Sequence, residues 1–231
     1  MSKTAVIAGV GPGLGASLAH RFADAGCRVG LLARSGDYLA DLAADINAAD
    51  AGRAVAAEAD ITDRENVERA FETVREAFGP VDILVNHASS APWDGVDIDP
   101  ADFERSLAVG PTGSLHCVQQ AVPDMRERGG GTVIFTGATS AVRGRDGALG
   151  FSAAKFATRG MAESLARELG PEGIHVAHVV IDGQIATPGA ADDSDDRLDP
   201  DAIAETYWNL VEQDRSSWTL ELDVRPHVEP F

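Results

Sequence analysis

Lysine, cysteine and long apolar runs are scarce in this sequence. Lys3 and Lys155 are the only lysines, and every other basic residue is an arginine. Cys27 and Cys117 lie far apart and match no metal-ligand spacing, so we expect no metal site built on them and a reduced, cytoplasmic setting. No apolar run approaches the roughly 20 residues that a membrane-spanning helix needs. The first residues lead straight into a strand-like segment, which predicts that the chain has no secretory leader.

Positive charge is scarce overall. The chain has 37 acidic and 19 basic residues, which gives a formal net charge of −18. A field of this sign repels nucleic acid and anionic membranes, so we expect neither as a partner. An aspartate-rich composition with almost no lysine favours a halophilic protein, in which salt screens the self-repulsion. The alternative is an actinobacterial-style composition, rich in alanine, aspartate and arginine, from a high-GC genome.

Short β-branched runs alternate with longer helical stretches, a pattern that predicts βαβ units around a parallel sheet. The strands are expected at 4–8, 28–32, 54–57, 81–86, 132–136, 175–181 and 218–222. The helices are expected at 14–25, 37–49, 64–78, 101–128, 152–169 and 201–211. A length of 231 residues without a linker predicts one domain. Residues 190–200 resemble a mobile loop, and we expect a substrate lid around 184–215.

A glycine-rich turn follows the first expected strand. Its glycines are Gly9, Gly11, Gly13 and Gly15, and the first expected helix begins within it at Leu14. Glycine allows the backbone to approach a pyrophosphate, and the helix amino terminus offers unpaired N–H groups and a positive dipole. The turn therefore predicts a dinucleotide site. The alternative is a tight turn that needs its glycines for packing alone.

The spacing Gly9-x-x-x-Gly13-x-Gly15 resembles the glycine turn of the short-chain dehydrogenase/reductase family. Three further segments within residues 4–187 resemble motifs of that family and occur in the same order. Asp60-Ile61 resembles its adenine-contacting pair, and Asn86-His87-Ala88-Ser89 resembles its Asn-Asn-Ala-Gly motif, of which the first Asn and the Ala are present. Asp182-Gly183-x-x-x-Thr187 resembles its Pro-Gly-x-x-x-Thr motif. The resemblance implies an α/β Rossmann fold, a doubly wound parallel sheet of about seven strands flanked by helices. The cofactor-binding residues that it implies, besides those of the turn, are Asp60, Ile61, Asn86, Ala88, Lys155, Gly183 and Thr187.

The end of the second strand indicates which nucleotide is bound. An acidic residue there would hold the ribose 2′-hydroxyl of NAD and repel a 2′-phosphate. The family's acidic position falls on Ala33, and the next residue, Arg34, offers a planar guanidinium to a phosphate. We therefore expect NADP(H) to be favoured over NAD(H). The alternative is an exposed arginine without a ligand role.

The residues that the family uses to move a proton are mostly replaced. The resemblance implies a Tyr-x-x-x-Lys pair, because an ammonium four residues from a phenol on a helix can lower its pKa and hold the nicotinamide ribose. Lys155 is kept, but Phe151 stands at the tyrosine position, Ala138 at that of the serine and Gly110 at that of the asparagine. A positioned general acid contributes roughly 10²–10⁴-fold, so we expect the usual ketone reduction to be severely impaired.

Other groups must then supply the chemistry. We expect Lys155 to bind the nicotinamide ribose and Thr139 to hydrogen-bond a substrate oxygen, and His87, Asp146 and Tyr207 are weaker candidate proton donors. The sequence leaves three functions open. The first is an NADP(H)-dependent oxidoreductase that acts on a small molecule, such as an activated alkene or imine, with non-standard proton delivery. The second is a catalytically inactive nucleotide-binding or scaffold homologue, and the third is a lyase or isomerase without redox chemistry.

An apolar stripe on the helix at 152–169 bears on assembly. Phe156, Met161 and Leu165 lie along this stripe. The family packs this helix against partner subunits, so the resemblance implies a homodimer or homotetramer. The alternative is that the stripe packs only on its own sheet.

Overall fold

The computed structural model describes residues 2–49, 52–186 and 196–229 of the chain. Its strands are β1 (Thr4–Ala8), β2 (Arg28–Ala33), β3 (Arg53–Glu58), β4 (Ile83–Asn86), β5 (Gly131–Thr136), β6 (Ile174–Ile181), β7 (Gln184–Ile185), β8 (Arg197–Leu198) and β9 (Glu221–Val224). Seven of them form one parallel sheet in the order β3-β2-β1-β4-β5-β6-β9, and β7 pairs with β8. The central strands are buried on both faces and are therefore nearly continuous apolar runs. The predicted doubly wound sheet is confirmed.

Helices cover both faces of this sheet. They are α1 (Leu14–Asp24), α2 (Gly36–Ala48), α3 (Arg64–Phe78), α4 (Pro100–Leu107), α5 (Gly113–Glu127), α6 (Leu149–Leu169) and α7 (Pro200–Val211). Among the described residues, no helix combines the length and the apolar character needed to cross a membrane. Helix α3 begins as expected, because the Asp63 side chain accepts hydrogen bonds from the backbone N–H groups of Glu65 and Asn66.

The core has two layers, one on each face of the sheet. Phe22, Leu39 and Tyr207 belong to the cluster beneath α1, α2 and α7. Phe71 and Met125 belong to the cluster on the other face, which includes residues of α3, α5 and α6. Burial of each such side chain contributes about 1.5–3 kcal/mol. The two layers hold the carboxyl ends of the strands in fixed positions, and the candidate site lies at those ends.

The prediction of one continuous helix over 101–128 is wrong in its middle. A π-helical segment, Ala108–Thr112, separates α4 from α5. Pro111 lies inside this segment and has no backbone N–H, so it cannot donate the hydrogen bond that a regular α-helix requires. The helix continues past the proline by widening locally. Gly110, which the resemblance places at the position of the asparagine, lies within this widened turn.

The last strand begins later than predicted. β9 starts at Glu221 rather than at residue 218, and it is preceded by a short 3₁₀ turn, Arg215–Ser217. The ring of Trp218 stacks on His175 with ring centroids 4.9 Å apart. The backbone N–H of Thr219 donates to the Gln213 side chain at 2.8 Å. These contacts hold residues 218–219 outside the ladder, although their alternation resembles a strand.

The predicted lid at 184–215 is wrong for its helical part. Ile203, Ala204, Tyr207 and Leu210 of α7 are at most 2% exposed and pack in the core. Helix α7 is therefore part of the layer that covers the sheet. The two short strands β7 and β8 account for further residues of this stretch, and residues 187–195 lie outside the described residues.

Candidate functional site

The carboxyl ends of β1 and β4 meet where the order of strands across the sheet reverses. Open α/β sheets bind ligands in the crevice at this point. The glycine turn follows β1 here, and the segment after β4 crosses beside it. Gly9 has a φ of +104°, and a Cβ atom on it would lie 2.3 Å from the backbone N of Ala88. Glycine is therefore required at position 9 because two backbones cross there.

Gly13 and Gly11 differ in what they require. Gly13 has a φ of +104°, a conformation that side chains other than glycine rarely adopt. A Cβ atom on Gly11 would meet none of the described atoms within 4 Å, so packing does not require glycine there. The missing side chain instead leaves open space in front of α1. Such space at a helix amino terminus suits a ligand phosphate.

Two cavities that share Gly9 and His87 open along this crevice. The first has a volume of about 350 Å³ and lies at the ends of β2 and β3. The second, of about 250 Å³, lies in front of the glycine turn. The predicted cofactor-binding residues that line one or both are Gly9, Gly11, Gly13, Leu14, Gly15, Arg34, Asp60, Ile61 and Ala88. The structure thus brings most of the predicted nucleotide site together.

Positive charge collects in the larger cavity although the chain is strongly acidic. Arg34 extends into it from the end of β2, and Arg105 from α4. Burial opposes ionisation of Asp60, but two hydrogen bonds from Thr62, together with the two arginines, lower the Asp60 pKa below its ordinary value. The cavity therefore holds one fixed carboxylate and two guanidinium groups. A phosphorylated ligand is compatible with that charge.

A third, smaller cavity lies beside Lys155. Its volume is about 10 Å³, enough for one water molecule, and Asn86, Gly110 and Phe151 are among its other lining residues. Lys155 is 7% exposed, and its Nζ donates a hydrogen bond to the Thr136 carbonyl oxygen at 2.7 Å. Burial lowers the pKa of Lys155 to about 8. The amine is therefore close to its protonation midpoint at mildly alkaline pH.

Aromatic rings cover the amine where a phenol is expected from the resemblance. The Phe151 ring centroid lies 5.5 Å from Lys155 Nζ, within cation–π range. Trp93 packs against Phe151 with ring centroids 5.9 Å apart and is largely exposed. The Asn86 side chain is 5% exposed, and neither its Oδ1 nor its Nδ2 has a hydrogen-bond partner within the described part of the chain. Such a buried amide calls for a water or a ligand.

Gly110 and Ala138, which the resemblance places at the positions of the asparagine and the serine, have different surroundings in the structure. A Cβ atom on Gly110 would lie 3.1 Å from Ala154 Cβ, so an asparagine side chain there would have to displace α6 slightly. Ala138 is in extended backbone just before the 3₁₀ turn Thr139–Ala141. The Thr139 hydroxyl donates to the buried Asp182 carboxylate. Thr139 could donate to a substrate only after giving up that bond.

The remaining predicted site residues are less closely tied to the cavities. A Cβ atom on Gly183 would lie 2.8 Å from Pro226 Cδ, so the carboxyl-terminal segment already explains this glycine. Its contact with a cofactor stays a prediction. Thr187 lies outside the described residues. Of the weaker proton-donor candidates, Asp146 is exposed and Tyr207 is fully buried in the core.

Arg105 and His87 line the crevice but are not among the predicted cofactor-binding residues. Arg105 lines the larger cavity, but no pattern in the sequence shows that α4 leans over this cavity. His87 borders both larger cavities. The sequence contains a signal for it, since His87 directly follows Asn86 in the segment that resembles the family's Asn-Asn-Ala-Gly motif. The sequence analysis gives it only as a weaker candidate proton donor.

Comparison with known proteins identifies the family. The short chain dehydrogenase family model matches residues 3–198. The chain belongs to the short-chain dehydrogenase family. An uncharacterized short-chain type dehydrogenase/reductase of Sinorhizobium fredii is 37% identical over 190 residues, which are 80% of this chain and 75% of that protein. The implied family membership is thus confirmed.

Solved structures of the family agree with the fold. A metagenomic short-chain oxidoreductase in complex with NADP is 26% identical, with a TM-score of 0.85 and coverage of 98% of this chain and 97% of that chain. A 3-ketoacyl-(acyl-carrier-protein) reductase of Brucella melitensis complexed with NADH is 29% identical, with a TM-score of 0.88 and coverage of 99% and 98%. Similar structures therefore include complexes with either nicotinamide nucleotide.

Proposed function

We propose that this protein is an NADP(H)-dependent oxidoreductase that acts on a small molecule without the family's tyrosine as proton donor. One observation carries the proposal. Beside a complete glycine turn, the structure buries an amine, Lys155, and an unpartnered amide, Asn86. Burying such groups costs stability unless something bonds to them. A ligand that bonds to both groups would explain why the protein buries an amine and an amide at this place.

The residues present fit NADP(H), a dinucleotide that carries a 2′-phosphate. The N–H groups at the start of α1 would hold the pyrophosphate, in the space that Gly11 leaves open. Arg34 and Arg105 would hold the 2′-phosphate, and Asp60 with Ile61 would border the adenine. Lys155 and Asn86 would hold the nicotinamide ribose. When bound, NADP(H) supplies or accepts a hydride.

We propose that Lys155 is also the proton source. Phe151 has no proton to donate, while Lys155 Nζ lies 5.5 Å from its ring centroid. A general acid is most effective when its pKa lies near the working pH, and burial brings the Lys155 pKa to about 8. The proton would pass from Nζ to the substrate heteroatom, and solvent would reprotonate the amine. Activated alkenes and imines suit this site best, because they need a weaker acid than a ketone does.

The first experiment measures binding and turnover together. NADPH oxidation is followed by absorbance against a panel of ketones, enones and cyclic imines, and the affinities for NADPH and NADH are measured by fluorescence. We expect tighter binding of NADPH and turnover of at least one enone or imine. Lys155→Ala should abolish turnover. Lys3→Ala is the matched control, since Lys3 is an exposed lysine paired with Glu212 at 3.5 Å.

Two results would overturn the proposal. Failure of both nucleotides to bind would remove its basis. Tight NADPH binding without turnover of any substrate class would instead indicate a nucleotide-binding protein without enzymatic activity. Turnover that survives in Lys155→Ala would contradict only the role of Lys155 as proton source.

Assembly and setting are further proposals. Phe156 on α6 is exposed, as is Leu115 on the neighbouring α5, and this supports a homodimer or homotetramer that light scattering can detect. Cys27 and Cys117 are free and buried, which suits a cytoplasmic protein. With a net charge of −18, a halophilic protein should gain stability as KCl rises from low to molar concentration. Insensitivity to salt would count against that setting.

A further inference from the structure

A hydrogen-bonded chain connects the core to the nucleotide crevice through Thr136. The Tyr207 hydroxyl lies 2.9 Å from Thr136 Oγ1, and His87 Nδ1 lies 3.2 Å from the same oxygen. Tyr207 is fully buried and Thr136 is 6% exposed, so water does not compete for these bonds. Two side chains, one from α7 and one from the segment after β4, thus share the hydroxyl of Thr136 on β5.

Burial of the Tyr207 phenol determines which group donates in each hydrogen bond of this series. A buried O–H group without an acceptor costs about 1–3 kcal/mol. Thr136 Oγ1 is the hydrogen-bond partner of the Tyr207 hydroxyl, so the phenol donates to it. The buried threonine O–H also needs an acceptor, and His87 Nδ1 is the one that lies within reach among the described groups, so we take Nδ1 as the acceptor. The imidazole therefore carries its proton on Nε2.

His87 lines the crevice, and its second ring nitrogen, Nε2, is available to serve a ligand there. The residue borders the cavity in front of the glycine turn and also the larger cavity that contains Arg34. Nδ1 is engaged by Thr136, whereas Nε2 has no partner among the residues that the structure describes and is not enclosed by them. Burial and the nearby Lys155 charge lower the His87 pKa to about 4, so the ring stays neutral at physiological pH.

We propose that His87 is a cofactor-positioning residue whose Nε2–H donates a hydrogen bond to the pyrophosphate of the dinucleotide. Tyr207 and Thr136 act through it by fixing its tautomer. The inference rests on the proposed function, because it presupposes that a dinucleotide occupies the crevice. His87 borders the same cavity as the residues at the start of α1, whose N–H groups favour an anion. The opposite tautomer would turn a lone pair toward the phosphate and weaken binding.

Binding of two ligands separates this role from the others. NADPH contains the pyrophosphate, whereas adenosine 2′-monophosphate contains only the adenosine end. His87→Ala should weaken NADPH binding roughly ten- to a hundredfold, as expected for loss of a hydrogen bond to a charged acceptor. It should leave the affinity for adenosine 2′-monophosphate unchanged. Arg34→Ala, the matched control at the other end of the crevice, should weaken both ligands.

Two further variants test the relay. His87→Gln keeps a donor close to the position of Nε2 and should recover part of the NADPH affinity. Tyr207→Phe removes the donated proton and should weaken NADPH binding severalfold with no effect on adenosine 2′-monophosphate. Nitrogen-15 NMR of the wild-type histidines, assigned with His87→Ala, should show the neutral Nε2–H tautomer from pH 6 to 8. The NMR measurement decides the tautomer even where Tyr207→Phe does not fold.

The outcomes are distinguishable. If wild type does not bind NADPH, both the proposed function and this inference are overturned. If wild type binds NADPH and His87→Ala binds it equally well, the proposed function stands and His87 has no positioning role. A neutral Nδ1–H tautomer in wild type would overturn the relay. Equal loss of both ligands in His87→Ala would indicate a structural role rather than a contact with the pyrophosphate.

Discussion

Replacing Lys155 with methionine tests whether this lysine is retained for a ligand or for the fold. The side chain is 7% exposed and bonds only the Thr136 carbonyl oxygen among the described groups. Burial lowers its pKa from the ordinary 10.5 to about 8. At about 1.4 kcal/mol for each pKa unit, folding with this amine costs roughly 3 kcal/mol at pH 7. Methionine fills the same space without that cost, so the variant should be about 1–3 kcal/mol more stable.

The pH dependence gives the sign of the effect. Because the folded pKa is lower, the unfolded chain binds more protons at this site between pH 8 and 10.5. The wild type should therefore gain stability as pH rises through that window, and the advantage of Lys155→Met should shrink toward zero. Urea unfolding followed by circular dichroism at pH 7, 9 and 10 measures both quantities. NADPH affinity, measured in parallel, should fall in the variant.

A matched control isolates the effect of burial. Lys3 is about half exposed and lies 3.5 Å from Glu212, so Lys3→Met should change stability by less than about 0.5 kcal/mol at any of these pH values. The reasoning is refuted if Lys155→Met is clearly less stable than wild type at pH 7. It is equally refuted if the difference between the two proteins is the same at pH 7 and pH 10.

Four further substitutions test the crevice and the cavity beside Lys155. Gly9→Ala should lower the free energy of unfolding by at least about 2 kcal/mol, because φ is +104° and the Cβ would clash with the Ala88 backbone. Gly11→Ala should keep the free energy of unfolding within about 0.5 kcal/mol of wild type but bind NADPH roughly tenfold or more weakly. Thermal unfolding measures the first quantity and fluorescence titration the second. Arg34→Ala should lower the affinity for NADPH about tenfold or more while leaving that for NADH nearly unchanged, and an unaltered ratio of the two affinities would contradict the role of Arg34. Phe151→Tyr should raise kcat/KM for ketones far less than the roughly 10²–10⁴-fold of a positioned acid, and full recovery would show that the other replaced positions matter little.

Local sequence determined what could be predicted about the crevice. The order of strand, glycine turn and helix at residues 4–24 was predictable because each element follows from its own residues. The strand ends that carry Arg34 and Asp60 were predictable for the same reason, since parallel strands bring their carboxyl ends to one edge of the sheet. The four-residue spacing of Phe151 and Lys155 likewise needs only the geometry of one helix.

Features that depend on packing between distant segments were not predictable. The widened turn at Ala108–Thr112 keeps α4 and α5 in continuity despite Pro111, which a pattern of apolar residues does not reveal. Arg105 reaches the crevice only because of the direction of α4. Tyr207 was expected in a lid, but it is fully buried and bonds Thr136 at the end of β5, an interior strand of the sheet. These placements follow from which faces the helices bury.

The close crossing of the Gly9 and Ala88 backbones limits which substitutions such a protein can accept over evolutionary time. The floor of the crevice there is main chain against main chain, with no room for even one methyl group. Substitutions of side chains therefore cannot widen or narrow the floor without disturbing the fold. Variation in ligand choice is confined to the rim, where Arg34, Arg105 and His87 project from three different segments. A lineage of such proteins could exchange one nucleotide for another at the rim while the floor stays the same.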